Sequence, residues 1–269
     1  SHRMEEIFEL ADRVSVLRDG TLVGTRKVSE TTDGELVAMM INRSIDQIYH
    51  KETFAIGAPI LESRHLSGPG FEDVSLTVHE GEIVGLYGLI GAGRSEFVMG
   101  VYGRQPRKAG EVLWQGRPVD IRSERQAIDL GMALAPESRR DQGLCLNLGV
   151  GLNINLPVFD RLTRGLTVSG QQERQAADKQ INDLRIKTAS RNALALSLSG
   201  GNQQKVVIGK WLNHGAKLFI FDEPTVGVDV GTKAEIYRLF GRLLSQGAGI
   251  LLISSYLPEV YELADQLHV

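Results

Sequence analysis

With 269 residues, the chain has room for one large domain or two small ones. Its 42% hydrophobic and 23% charged content is that of a globular protein and excludes disordered, collagen-like and coiled-coil classes. Lys and Arg total 30 against 33 Asp and Glu, a net charge of -3 that gives no support to a dedicated nucleic-acid binder, and the lone Cys145 excludes an internal disulfide or a cysteine-rich zinc site.

Aromatic residues make up 6% and there are 30 glycines, which suits a parallel α/β protein with tight turns. In chain order, Val14–Val16 and Thr21–Val23 flank Leu17-Arg18-Asp19-Gly20, a hairpin turn. Residues 32–42 read as a helix. Residues 46–60 have neither helical nor strand period and read as a linker, with Gly57 and Pro59 near its end. Residues 72–78 and 111–114 alternate between glycine turns and predict a small antiparallel layer. Residues 83–87, I-V-G-L-Y, form an apolar run that predicts a buried strand, with a helix following at 95–102. Residues 138–198 have few strand signals and a polar helical stretch at 170–184, which predicts a mostly helical insertion. Residues 217–222 and 249–254 are apolar without alternation, as strands covered on both faces are. Between them, Ile236, Leu239, Phe240, Leu243 and Leu244 follow helical spacing. Strands alternating with helices predict a doubly wound parallel sheet.

No run approaches the ~18 apolar residues that cross a bilayer, and Ser1 to Glu6 lack a signal-peptide core. The expectation is a soluble cytosolic protein whose membrane role, if any, comes through a partner. The two ends also match each other: residues 1–16 align without gaps on 254–269, with Glu9-Leu10-Ala11-Asp12 repeated as Glu262-Leu263-Ala264-Asp265. A repeat spaced by about one large domain predicts a tandem array caught out of phase.

Three segments carry chemistry. Gly88 to Ser95, G-L-I-G-A-G-R-S, fits the phosphate-binding pattern G-x-x-x-x-G-K-[ST] with Arg94 in the lysine position. Gly91 and Gly93 permit a turn whose N–H groups face inward, and the following helix adds its positive end. Ser95 would offer a hydroxyl to Mg2+. Alone, the segment also fits a glycine-rich turn with no ligand. Leu218 to Thr225, L-F-I-F-D-E-P-T, describes a buried strand delivering two acids to its C-terminal edge, where ligands sit in such sheets. Asp222 would hold Mg2+ and Glu223 would polarise the attacking water; seen alone, these are equally solvated acids at a strand end. Leu198 to Lys205, L-S-G-G-N-Q-Q-K, sits just upstream, where Ser199, Gly200 and Gly201 open a helix fit to meet a γ-phosphate or merely to cap it.

The three segments in this order resemble ATP-binding-cassette (ABC) proteins. Together with A-P-E-S-R-R-D-Q-G-L (Ala135 to Leu144), D-E-P-T-V-G-V-D-V-G-T-K and I-S-S-Y-L-P-E-V, they resemble the second cassette of tandem-cassette monosaccharide importer ATPases of the ribose, galactose, arabinose and xylose type. Ser1 to Gly20 resembles the end of the first cassette in that family. The resemblance covers essentially the whole chain.

It implies a P-loop NTPase fold of α/β class, with a parallel core sheet, a small antiparallel β layer and a helical subdomain. It also implies residues 1–45 as the tail of one cassette and 61–269 as a second, truncated one. The implied nucleotide contacts are Gly88, Gly91, Ala92, Gly93, Arg94, Ser95, Glu96, Glu137, Ser199, Gly200, Gly201, Gln203, Asp229 and Ser255. Ser95 and Asp222 are the implied Mg2+ ligands, and Glu223 and His2 the catalytic residues, with His2 serving the first cassette's site. An expression scar is the alternative origin of Ser1-His2. The implied substrate is ATP. The implied partners are a transmembrane sugar permease, an extracytoplasmic sugar-binding protein and a first cassette, with no nucleic acid. The implied location is the cytoplasmic face of the bacterial inner membrane.

Three positions depart from the family pattern. Arg94 replaces the phosphate-loop lysine, Glu137 lies where a glutamine is expected, and Ser255 lies where a histidine contacts the γ-phosphate. A guanidinium does not reproduce a compact ammonium, a carboxylate repels phosphate, and a hydroxyl does not replace imidazole. The expectation is a site that binds MgATP and hydrolyses it poorly. The competing readings are a soluble ABC ATPase acting on nucleic acid or ribosomes, and a non-catalytic nucleotide sensor. His65 and Phe71 are the nearest aromatic candidates for the base, neither a good fit. His214, Cys145, Trp114 and Trp211 read as structural.

Overall fold

A computed structural model describes residues 4–18, 20–41, 51–89, 91–164 and 167–269. His2, residues 46–50 of the expected linker and Ile90 of the glycine-rich loop lie outside them. The chain opens with α1 (Met4–Leu10), β1 (Arg13–Arg18), β2 (Thr21–Lys27) and α2 (Asp33–Ile41). β1 and β2 form the expected antiparallel hairpin. Val14 and Val16, two apart and so on one face, pack with Leu36 of α2 into a small core. Thr32 and Glu35 cap α2 reciprocally: Glu35 N donates to Thr32 Oγ1 (3.3 Å) and Thr32 N to Glu35 Oε2 (3.4 Å).

Residues 51–57 run without regular structure but are held to the body. Lys51 Nζ pairs with Asp265 (2.8 Å) and donates to Ala264 O (2.6 Å), and Gly57 N donates to Glu80 O (2.9 Å). β3 (Pro59–Gly68) begins inside the expected linker and is followed by β4 (Phe71–His79), β5 (Ile83–Tyr87), α3 (Arg94–Val101), β6 (Ala109–Trp114), β7 (Arg117–Val119), α4 (Glu124–Leu130) and β8 (Met132–Ala135). Then come α5 (Val150–Asn155), α6 (Phe159–Leu162), the short ribbon β9 (Thr163–Arg164) and β10 (Thr167–Val168), α7 (Gly170–Asp183) and α8 (Gly200–His214). β11 (Leu218–Asp222), α9 (Val230–Ser245), β12 (Gly249–Ser254), α10 (Leu257–Leu263) and β13 (Gln266–His268) complete the described chain.

The core sheet has the order β13-β5-β12-β11-β8 and is parallel throughout. Every residue of β11 and β12 is buried, because both faces are covered. Phe219, Phe221, Ile250 and Leu252 pack on one face with α8 and α9. Leu218, Ile220, Leu251 and Ile253 pack on the other with α3 and the second sheet. That second sheet, β4-β3-β6-β7, is antiparallel. Between β8 and β11, helices α5, α7 and α8 pack on one another as a helical arm.

The terminal repeat is structural as well as sequential. The ungapped alignment lays α1 on α10 end for end, Met4 on Leu257 and Leu10 on Leu263, and starts β1 where β13 starts, Arg13 on Gln266. β13 pairs in parallel with β5.

Candidate nucleotide site

β5 lies inside the core sheet and hands the chain to α3 through Gly88 to Gly93. Gly93 holds φ +88°, and a Cβ there would stand 2.3 Å from Gly70 O. Only glycine fits that left-handed, crowded position. As N-cap of α3 it brings no side chain to the helix, which leaves the first-turn N–H groups of α3 to a ligand.

β11 ends on Asp222 beside this loop. Ser95 Oγ donates to Asp222 Oδ2 at 2.8 Å, while Asp222 Oδ1 is buried with no partner among the described residues. Burial pushes the Asp222 carboxyl above the usual range, against the pull of the Ser95 bond and Arg94; Glu137 and Glu96 lie near enough to push it further. An unsatisfied carboxylate oxygen beside a hydroxyl is an all-oxygen donor set that suits a hard cation such as Mg2+, which takes few protein ligands.

Glu223 follows with φ +48°, a strained value for a side-chain-bearing residue, and its N–H donates to Ile253 O at 2.9 Å. Burial raises its pKa, while the hydroxyl and amide of Ser255 donate to it and Arg94 adds a compensating charge. Arg94 Nη1 stands 3.6 Å from Glu223 Oε1, buried and without a hydrogen-bond partner. The phosphate-loop arginine and the residue at the histidine position thus converge on one carboxylate.

Ser199 and α8 lie elsewhere. Ser199 Oγ accepts from Asn202 Nδ2 (2.9 Å) and leaves the start of α8 uncapped. Gly200 and Gly201 abut Arg139, Gly227 and Thr232, none of which belongs to the phosphate loop. Asp229 caps α9, its carboxylate accepting from Thr232 N (3.0 Å) and Thr232 Oγ1 (2.7 Å). Ala92 N–H bonds within its own loop to Leu89 O at 3.1 Å.

Gln203, an expected nucleotide contact, is fully buried in this structure, donating to Ala195 O (3.1 Å) and accepting from Arg140 Nε (3.4 Å). Phe71 packs edge-on to Phe97 (5.7 Å), and the exposed His65 is paired with Asp73. Trp211 Nε1 donates to Leu134 O, and Trp114 is buried in the second core. Sequence reading singled out Arg139 only as part of A-P-E-S-R-R; its contacts are long-range and leave no local signal.

Residues 71–226 match the family described as ABC transporter. The chain is 45% identical, over its whole length and 55% of the relative's, to the ribose import ATP-binding protein RbsA of Geobacillus kaustophilus. It is 42% identical over the same shares to that of Bacillus subtilis. It spans about half the length of the curated relatives it matches. A solved nucleotide-free ATP-binding cassette from an ABC transporter superposes with TM-score 0.68 at 21% identity, covering 78% of this chain and 87% of that one, which shows the shared fold. On the match across the phosphate loop, the signature segment and the acidic strand end, this chain belongs to the ABC transporter family of ATP-binding cassettes.

Proposed function

We propose that the chain is the second cassette, with the tail of the first, of a tandem ATP-binding protein that energises monosaccharide import, and that its own site holds MgATP and turns it over slowly. The convergence of Arg94 and Ser255 on Glu223 carries this reading.

The amides of Gly91 and Gly93 and the start of α3 would take the triphosphate, with Arg94 supplying charge. Ser95 and Asp222 would hold Mg2+, which when bound neutralises charge on the phosphate oxygens. Glu223 is placed to orient and deprotonate water; burial raises its pKa, while the Ser255 donors and Arg94 hold that rise back. Ser255 offers a hydroxyl with no positive charge to give a developing γ-phosphate. Losing one transition-state donor of this kind costs about 10²–10³ in rate. In a head-to-tail pair, Ser199 to Gly201 would complete the first cassette's site, and His2 would serve there as switch histidine.

The tandem reading draws support from the terminal repeat, helix on helix and strand on strand, and from relatives about twice the chain's length. Import of ribose or a similar sugar draws on the names of those relatives. A permease partner draws on an apolar stripe along the arm, where Leu148, Leu152, Leu156 and Phe159 are exposed at near-helical spacing. With such a permease and an extracytoplasmic sugar-binding protein, the chain would sit on the cytoplasmic face of the bacterial inner membrane; among the described residues no helix is long and apolar enough to cross it.

MgATP titration and steady-state ATPase of this chain, beside Glu223→Gln, test the reading. Saturable binding is expected, with turnover at least ~10² below a competent cassette and little changed by Glu223→Gln. Fast turnover abolished by that substitution would overturn it.

A further inference from the structure

Arg139 opens a turn, residues 139–143, directly after β8. Ser138 fixes the turn by bonding to the Asp141 carboxylate and accepting from its N–H (3.3 Å). The guanidinium reaches across to the loop between Glu223 and Asp229, with Nη1 donating to Val226 O at 2.8 Å and Nη2 to Gly227 O at 3.2 Å. The same Nη2 lies against the first residue of α8: a Cβ on Gly200 would stand 2.6 Å from it and 2.9 Å from Gly227 O. One planar group therefore joins the turn two residues past Glu137, the loop that follows Glu223, and the signature segment.

The arrangement carries an electrostatic penalty, which argues for a specific geometric role. A cation at a helix N-terminus opposes the helix dipole. Burial, and then Arg140, draws the guanidinium below its ordinary range, and Nε is buried without a partner. Lysine would not reproduce the contact, because a point charge on a flexible stem does not bond two successive carbonyls while lying flat against a glycine.

We propose that Arg139 is a positioning residue that locks Ser199–Gly201 to the 226–229 loop, so that the two form one rigid face for a nucleotide held by a second cassette. This rests on the head-to-tail reading above.

The test is the intact two-cassette polypeptide, with Arg139→Ala, Arg139→Lys and Gly200→Ala beside wild type. ATPase kcat is expected to fall about 10–100-fold in all three, the scale of a misplaced catalytic surface, with KM for ATP and the thermal midpoint nearly unchanged. Amide hydrogen exchange at Gly200 and Gly201 should accelerate in Arg139→Ala, while that of residues 94–96 stays the same. Wild-type kcat in Arg139→Ala, rescue by Arg139→Lys, or a parallel collapse of KM and stability would each overturn the proposal. Should turnover of the wild-type polypeptide prove independent of Ser199, the head-to-tail reading fails instead; the exchange rates then decide, and unchanged exchange overturns the lock.

Discussion

Arg94 and Glu223 are 3.6 Å apart in a pocket where both side chains are largely shielded, so the guanidinium offsets part of the cost of burying the carboxylate. Arg94→Lys keeps the positive charge but shortens its reach to that carboxylate. We expect MgATP affinity in a nucleotide titration to hold or tighten, and turnover to stay slow because Ser255 is unchanged. Tenfold weaker binding would show that the guanidinium itself grips the phosphates. Asp222 gives a pH prediction. Its carboxyl is raised in the folded state, so the stabilising contribution of its protonated form is complete below the unfolded value near 3.8 and is lost as pH rises through the folded one. At neutral pH the buried charge destabilises the nucleotide-free protein. Asp222→Asn should therefore raise the thermal midpoint at pH 7, with the gap narrowing on acidification, and should remove the Mg2+ dependence of nucleotide binding. A gap that widens in acid would contradict the assignment. At this scale the strand–turn–helix form around Gly88 to Ser95 and the strand ending on Asp222 were legible in the sequence, because spacing along a strand and a turn is local. Arg139 was not: its carbonyl partners lie 87 and 88 residues away. The burial of Gln203 was not legible either, because its place in the signature string does not tell which side of α8 it faces.

Continuous apolar runs made β5, β11 and β12 readable as doubly covered strands. β3 escaped because polar Glu62, Ser63, Arg64 and His65 interrupt its pattern, and its register to β4 shifts at bulges where His65 and Asp73 take positive φ. β8 is four residues long and leaves almost no periodic signal. Within α8, Lys210 is half-buried, donates to Gly143 O (2.7 Å) and lies 5.0 Å over the Trp211 ring. Burial brings its pKa from 10.5 down to about 8. Below pH 8 the lysine is charged in both folded and unfolded chains, and folding bears the desolvation. Between about 8 and 10.5 only the unfolded chain keeps the proton, so stability rises with pH. Denaturant unfolding of wild type and Lys210→Met should show wild type gaining on the variant across that window, by up to about 3 kcal/mol. A constant difference would mean that the amine is hydrated.

Among the described residues the apolar interior divides into two large cores about the parallel sheet and one small satellite made by α1, β1, β2 and α2. Because the satellite has its own core, removal of residues 1–45 should leave MgATP binding intact and lower the thermal midpoint only slightly. Loss of binding or cooperative unfolding would show that the two parts fold as one. The repeat between the ends was legible in the sequence, since an ungapped match needs only the residues; that it also aligns one helix range on the other reflects the similar apolar positions in both copies. How the signature face is held together was not legible, because it depends on three segments meeting around one guanidinium. The central claim is that the site grips MgATP and lacks the group that drives its cleavage. Single-turnover hydrolysis by wild type and Ser255→His, at saturating MgATP, tests it most directly. Acceleration of at least ~10-fold on restoring an imidazole, with affinity unchanged, is the predicted result; equal rates, or a wild type already fast, would contradict it.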